Sequence, residues 1–289
     1  MERGRSGISR AVLITGCSSG IGRATAAHLA ARGFRVYATA RNPEAIEDLA
    51  SPNCRLLPLD VCDEPSMRRA VETVEREAGA VGVLINNAGY GLEGAVEELP
   101  PAELRREFET NLFGPLRLTQ LALPGMRRQR WGRIVNVSSV GGLITTPGTG
   151  AYHASKHALE ALSDALRFEV RGFGIDVIVI EPGAIRTRWV ETAVGGLEKQ
   201  RDPKSPYASF DRAVAMRLQG AHAGLLKHLA GSPESVARLM ERAITTKRPR
   251  TRYLVPAISR VFVTQRRWMP DRLWDGYLRL LYPSPGANE

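Results

Sequence analysis

Tyr152 and Lys156 stand four residues apart in a stretch of helical periodicity, so their side chains share one helix face. An ammonium beside a phenol favours the phenolate and draws its pKa down from an ordinary value of about 10. Such a phenol can donate or accept a proton at a neighbouring reacting atom near neutral pH. A Tyr-x-x-x-Lys spacing alone usually marks a solvated helix face; its company separates this one. Ser138-Ser139 closes an apolar run just upstream, and Asn111 lies in the helical stretch before that run. Open parallel sheets bind ligands at the carboxyl ends of their strands, where the serine pair would sit.

A second group of residues suits phosphate. Thr15-Gly16-Cys17-Ser18-Ser19-Gly20-Ile21-Gly22 falls between the apolar run 11–15 and the Ala-rich helical segment 21–32. Glycines there let the backbone turn sharply and approach an anion, and the helix N-terminus offers free N–H groups. The spacing is Gly-x-x-x-Gly-x-Gly, and a strand before with a helix after makes it a dinucleotide cradle. The next apolar segment ends Ala38-Thr39-Ala40-Arg41. It offers no carboxylate for a ribose 2′-hydroxyl, whereas Arg41 offers a cation for a 2′-phosphate, so NADP is expected over NAD.

Strand-like and helix-like segments alternate along most of the chain. Strands are expected at 11–15, 34–39, 55–59, 81–85, 133–137, 175–180 and 252–255. Helices are expected at 21–32, 64–78, 152–171 and, as one long stretch interrupted near Pro115 and Pro124, 102–130. That order predicts an α/β fold, a doubly wound parallel sheet of about seven strands in a single domain. The expected organisation is a basic segment 1–10, the domain 11–256 with a lid insertion at 188–231, and a basic amphipathic tail 257–289.

The 289 residues are 43% hydrophobic and 24% charged, which excludes a disordered or collagen-like chain. No apolar stretch is long enough to span a bilayer, and the run at 11–14 is too short for a signal-peptide core, so a cytoplasmic protein is expected. Cys17, Cys54 and Cys62 lack zinc-ligand spacing and read as ordinary thiols. His153 and His157 repeat at helical spacing and read as packing or surface residues. Of the net charge of +10, residues 245–289 carry +6 and residues 1–10 carry +2. Basic ends usually mean solubility, and no nucleic-acid module accompanies them.

Taken together, the motifs resemble the short-chain dehydrogenase/reductase family. The resemblance rests on Thr15–Gly22, Asn86-Asn87-Ala88-Gly89, Asn111, Ser139, Tyr152-x-x-x-Lys156 and Pro182-Gly183, in family order. It implies a Rossmann-type fold and a proton-donating Tyr152. It also implies that Lys156 tunes Tyr152 and holds the nicotinamide ribose, that Ser139 binds the substrate oxygen, and that Asn111 anchors a water in a proton relay. Gly16, Ser18, Ser19, Gly20, Ile21 and Gly22 would cradle the pyrophosphate, with Arg41 marking NADP preference. Asp60-Val61 would contact adenine. Asn87, Ala88 and Gly89 would lie below the cofactor, and Pro182, Gly183 and Thr187 beside the nicotinamide. A homodimer or homotetramer is implied, built on helix 102–130 and the catalytic helix; Leu112, Leu116, Leu123, Leu162 and Phe168 are its apolar candidates.

The branch of closest resemblance contains 17β-hydroxysteroid and retinol dehydrogenases. Apolar residues of the lid, among them Trp189, Val190, Leu218, Leu225 and Leu226, suit a lipophilic carbonyl or alcohol. In the tail, Leu273, Trp274, Tyr277, Leu278 and Leu281 form one apolar face flanked by arginines, which suits packing on the body or a subunit, or peripheral membrane contact. The alternative function is a non-catalytic dinucleotide sensor or scaffold, which has no need of Asn111, Ser139, Tyr152 and Lys156 together. Metal is not required by either reading.

Overall fold

Apolar residues alternate along each strand, and the alternation decides which helices cover which face. The computed structural model describes residues 7–200, 202–220 and 230–285. Residues 1–6 of the basic segment, lid residues 221–229 with Leu225 and Leu226, and residues 286–289 lie outside the described residues. Strands β1 (Val12–Ile14), β2 (Val36–Ala40), β3 (Cys54–Pro58), β4 (Val83–Asn86), β5 (Gly132–Val137), β6 (Ile175–Pro182) and β7 (Arg252–Val255) form one parallel sheet. Their order is β3-β2-β1-β4-β5-β6-β7. This is the doubly wound, Rossmann-like fold expected from the alternation.

On one face Val12, Ile14, Val36, Ala38, Val83 and Ile85 meet helices α1 (Gly20–Ala31) and α8 (Pro233–Thr245). On the other, Leu13, Tyr37, Leu84 and Ile134 meet α2 (Glu64–Ala78), α4 (Gly114–Gln129) and the end of α5 (Gly150–Val170). No helix is expected at α8 from the alternation described above, yet its signals are present. Ser232 caps it, its Oγ accepting from Ser235 N at 3.2 Å, Pro233 opens it, and Val236, Ala237, Met240, Ala243 and Ile244 form the buried stripe. β7 is tied to its neighbours by Arg252, which pairs with Glu160 at 3.0 Å, Asp164 at 2.7 Å and Glu181 at 3.1 Å.

The stretch expected as one helix over 102–130 divides into α3 (Pro101–Phe108), a π-helical segment Glu109–Phe113, and α4. Pro115 stands in the first turn of α4, and Pro124 lies inside α4 without ending it. The break falls instead at Asn111, whose side chain is drawn out of the helix surface to bond the backbone of Tyr90. Short π segments of this kind concentrate at functional sites. Beyond β6 come α6 (Trp189–Gln200) and α7 (Ala208–Gly220), and beyond β7 come α9 (Ser259–Trp268) and α10 (Asp271–Leu281).

Met240 is fully buried between α8, α1 and the sheet, with Thr25 Oγ1 bonding its sulfur at 3.3 Å. Met240→Ala is expected to lower unfolding stability by about 2–5 kcal/mol, through lost burial and a residual cavity. Denaturant titration measures it; an unchanged midpoint would contradict the packing described.

Candidate active site

β1 and β4 are neighbours whose connections leave in opposite directions along the sheet, so a crevice opens beyond their carboxyl ends. A cleft of about 780 Å³ occupies that position, a size suited to a cofactor with its substrate. Gly16, Ser18, Ser19, Gly20, Ile21, Arg41, Asp60, Val61, Asn87, Ala88 and Gly89 line it from one side. Ser139, Tyr152, Lys156, Pro182, Gly183 and Thr187 line it from the other. Gly22 and Asn111 are not among its lining residues and stand behind the wall.

The glycine-rich turn is shaped by its neighbours. Gly16 adopts φ +73°, and a Cβ there would lie 2.9 Å from Ala88 Cα; Gly20 adopts φ +58°. A Cβ at Gly22 would lie 2.4 Å from both Asn87 Nδ2 and the Gly16 carbonyl oxygen, so this glycine serves close packing. Thr15 pins the turn to β4: its Oγ1 accepts from the N–H of Asn87 at 2.9 Å and of Ala88 at 3.0 Å. Asn87 Nδ2 donates to the Thr15 carbonyl at 2.9 Å. Thr15 is an organiser that motif reading passes over.

The residues present fit a pyrophosphate. Ser19 occupies the N-cap of α1, but its hydroxyl makes no capping bond, and no acidic side chain stands in the first turn. The first N–H groups of α1 are thereby left to an anion. Arg41 is exposed at the cleft and forms no ion pair among the described residues. Asp60 turns its carboxylate back onto the N–H of Cys62 at 2.9 Å.

Across the cleft, Ser139 Oγ donates to the Pro182 carbonyl at 3.3 Å, accepts from Gly141 N at 3.0 Å, and is within hydrogen-bonding reach of the Tyr152 phenol. Ser138 is buried, with no partner for its hydroxyl among the described residues. Lys156 is buried; its Nζ donates to the Val137 carbonyl at 3.0 Å and lies 5.7 Å from the Tyr152 ring centroid. Burial draws the ammonium down to about 8, against the attraction of Glu107 and Glu160. The lowered phenol expected from the spacing is not what the chain's own groups produce. Burial pushes Tyr152 up, partly offset by the Ser139 hydrogen bond and reinforced by Glu93 and Glu107. Burial is the largest cause, and Lys156 directs its own bond at the Val137 carbonyl.

Asn111 is fully buried. Its Nδ2 donates to the Tyr90 carbonyl at 2.8 Å and Ser155 Oγ at 3.0 Å, and its Oδ1 accepts from Tyr90 N at 3.1 Å. Ser155 in turn donates to the Tyr152 carbonyl at 2.7 Å, so Asn111 braces the turn of α5 that carries Tyr152. Behind it stand two carboxyls that the motifs did not mark. Glu107 accepts from Leu92 N at 3.0 Å, and burial pushes it up to about 7. Glu93 is buried with both oxygens unpartnered among the described residues, and burial, then Glu107, push it up to about 8. Trp189, at the start of α6, packs against Tyr152 with ring centroids 5.0 Å apart. His153 is buried in the cleft wall, held by the Thr146 N–H at 3.2 Å, and burial draws it down to about 4.

Fold and site together define a dinucleotide-binding oxidoreductase scaffold, and comparison with known proteins names the family. The family described as short chain dehydrogenase matches residues 10–195. The 3-ketodihydrosphingosine reductase of Bacteroides thetaiotaomicron is 35% identical over 277 residues, covering 94% of this chain and 97% of its own. Human retinol dehydrogenase 5 is 36% identical over 289 residues, covering 95% and 89%. Among solved structures, a short-chain dehydrogenase from Streptomyces avermitilis superposes with a TM-score of 0.78 at 35% identity, covering 93% and 94%. The chain belongs to the short-chain dehydrogenase family.

Glu93 carries a pH signature. Its carboxyl holds a proton more tightly folded than at its ordinary value of 4.5, so the stability it contributes is fully present below that pH and is lost as pH rises through about 8. Wild type is expected to lose stability relative to Glu93→Gln as pH rises over that window. Parallel pH curves for the two proteins in denaturant melts would contradict it.

Proposed function

We propose that this chain is an NADP(H)-dependent oxidoreductase interconverting a carbonyl and an alcohol on a lipophilic substrate. The observation that carries the reading is the meeting of Ser139, Tyr152 and Lys156 in one cleft, facing a glycine cradle whose helix N-terminus is left uncapped. When bound, NADPH supplies the hydride. Tyr152 gives its phenolic proton to the substrate oxygen, and Ser139 Oγ donates a hydrogen bond to the same oxygen as charge develops on it. The phenol's raised proton affinity keeps it in its neutral, proton-bearing form. Lys156 places a positive charge at the floor of the site, holds the nicotinamide ribose and lowers the cost of a transient phenolate. Asn111 keeps the catalytic turn in place through Ser155 and takes the relay position that the family assigns to it.

Gly16, Ser18, Ser19, Gly20 and Ile21 would hold the pyrophosphate, with Gly22 closing the turn behind them. Asp60 and Val61 would hold the adenine, and Asn87, Ala88 and Gly89 the underside of the cofactor. Pro182, Gly183 and Thr187 would hold the nicotinamide end. Arg41 is the 2′-phosphate cation. Ile144, Ile185, Trp189, Val190 and Leu218 give the substrate end of the cleft an apolar wall, with α6 and α7 as its lid. Two relatives are named for retinol and 3-ketodihydrosphingosine, which supports a lipophilic substrate class.

A homodimer through α4 and α5 completes the reading. Phe113, Leu162 and Phe168 are exposed there, Phe168 at 85%. Leu112, by contrast, is buried, and Leu123 is half-buried with part of its side chain against the core. Phe168→Glu is expected to shift sedimentation toward the 31.6 kDa monomer; an unaltered dimer would move the interface elsewhere.

Arg41→Ala is expected to weaken NADPH binding by about 1.5–3 kcal/mol, the size of a charge-assisted hydrogen bond, and to leave NADH binding nearly unchanged. Calorimetric titration with both cofactors decides it, and equal losses would remove the NADP assignment. Tyr152→Phe keeps the ring packed on Trp189 and removes only the proton donor. Turnover should fall by about 10²–10⁴-fold or more while cofactor affinity holds. Near-normal turnover of this variant on a good substrate would overturn the mechanism.

A further inference from the structure

The last two helices are apolar on the outside. α9 buries Ser259, yet Val261 and Trp268 on its opposite side are exposed, Trp268 at 81%, and so is Phe262 on its flank. α10 buries Trp274 and half-buries Tyr277, Leu278 and Leu281, and its outer row shows Leu273 and Leu280, Leu280 at 84%. A surface helix ordinarily turns its one apolar stripe inward; these two carry a second one facing out. Exposed arginines stand beside it, Arg260 and Arg267 on α9 and Arg272 and Arg279 on α10. Of the two aspartates in these helices, Asp271 is taken by Arg266 at 2.7 Å, and Asp275 alone remains to oppose them.

We propose that α9 and α10 form a docking surface for an anionic lipid bilayer, from which a lipophilic substrate enters the cleft. The charge decides the occupant. A second copy seated on the same face would set arginine rows against each other, whereas an anionic bilayer accepts both the arginines and the apolar side chains. A nucleic acid would pair with the arginines but leave Val261, Leu273 and Leu280 against its phosphates. The surface is also joined to the site. Tyr282, directly after α10, reaches Thr146 of the cleft wall by a hydrogen bond, stacks near Phe210 at 6.4 Å and lies under Arg217 at 4.9 Å. Leu218, next to Arg217, lines the cleft, and Met216 on the same helix is exposed. The delivery half of the inference rests on the lipophilic-substrate reading; the docking half does not.

The test is co-sedimentation of the full chain with vesicles of phosphatidylcholine, with and without about a third phosphatidylglycerol, at low salt and at about 0.5 M salt. Binding is expected to the anionic vesicles only, and to weaken with salt. Phe262→Glu with Trp268→Glu changes two exposed side chains. It should cut vesicle affinity by about tenfold or more, with unchanged sedimentation and an unchanged rate on a small water-soluble carbonyl. It should also slow turnover of a long-chain ketone presented in vesicles. Equal binding to neutral vesicles, binding of duplex DNA in preference to anionic vesicles, or loss of the oligomer in the double variant would each overturn the proposal. If vesicle binding behaves as expected but no lipophilic carbonyl is turned over even in free solution, it is the substrate reading that fails; if turnover is normal and vesicles are not bound, it is the docking surface.

Discussion

A buried ammonium organises this molecule. Lys156 sits at 5% exposure at the carboxyl end of β5, where an unpaired charge costs several kcal/mol. What compensates is a set of partners drawn from β5, α3 and α5 itself. The Val137 carbonyl accepts its hydrogen bond, Glu107 and Glu160 favour its charge, and the Tyr152 ring centroid lies 5.7 Å from it. For these to converge, α5 must lie along β5 and β6, and the helix carrying Glu107 must bend. The bend is the π segment at Asn111, and the amide of Asn111 then ties Tyr90, Glu107 and Ser155 into one network. Removing any one of these anchors leaves a polar group stranded in a low-dielectric wall, where it is most expensive.

The same burial sets the acid–base character of the site. Phenol, ammonium and two carboxyls share a wall from which water is largely excluded, so each is pushed toward its neutral form. A neutral phenol is a proton donor, and an ammonium drawn down to about 8 remains charged at neutral pH. The phenol is pushed up while the ammonium is drawn down, so their proton affinities move apart, and the two carboxyls rise toward the ammonium.

The parallel sheet of seven strands and the glycine turn between its first strand and first helix were legible because they rest on local signals. Short apolar runs, a glycine turn between strand and helix, and Tyr-x-x-x-Lys on one helix face are each signals that span only a few residues. What the sequence hid was non-local. Glu93 and Glu107 are ordinary surface-type residues until the fold buries them, and the π segment depends on Tyr90, some twenty residues away in sequence. Lys156 and Tyr152 are neighbours as the spacing required, but the direction of the Lys156 bond was set by Val137 across the sheet. α8 is the exception, since its cap, proline and apolar stripe were all readable. Of the one apolar face expected in the tail, Trp274, Tyr277, Leu278 and Leu281 do turn inward, whereas Leu273 is exposed; the outer rows of α9 and α10 emerge only in the packed structure.

The central claim is that this buried site moves a hydride and a proton together to a carbonyl. Its most direct test is stoichiometry. The wild-type chain is incubated with NADPH and a panel of long-chain, retinoid and steroid carbonyls, and cofactor loss and alcohol formation are followed together across the pH range. Equal consumption of NADPH and formation of alcohol on at least one lipophilic member, with the rate falling as pH rises past about 8 and Lys156 loses its proton, is the predicted result. Tight NADPH binding with no alcohol formed from any member would contradict the claim and leave a dinucleotide sensor on the same fold.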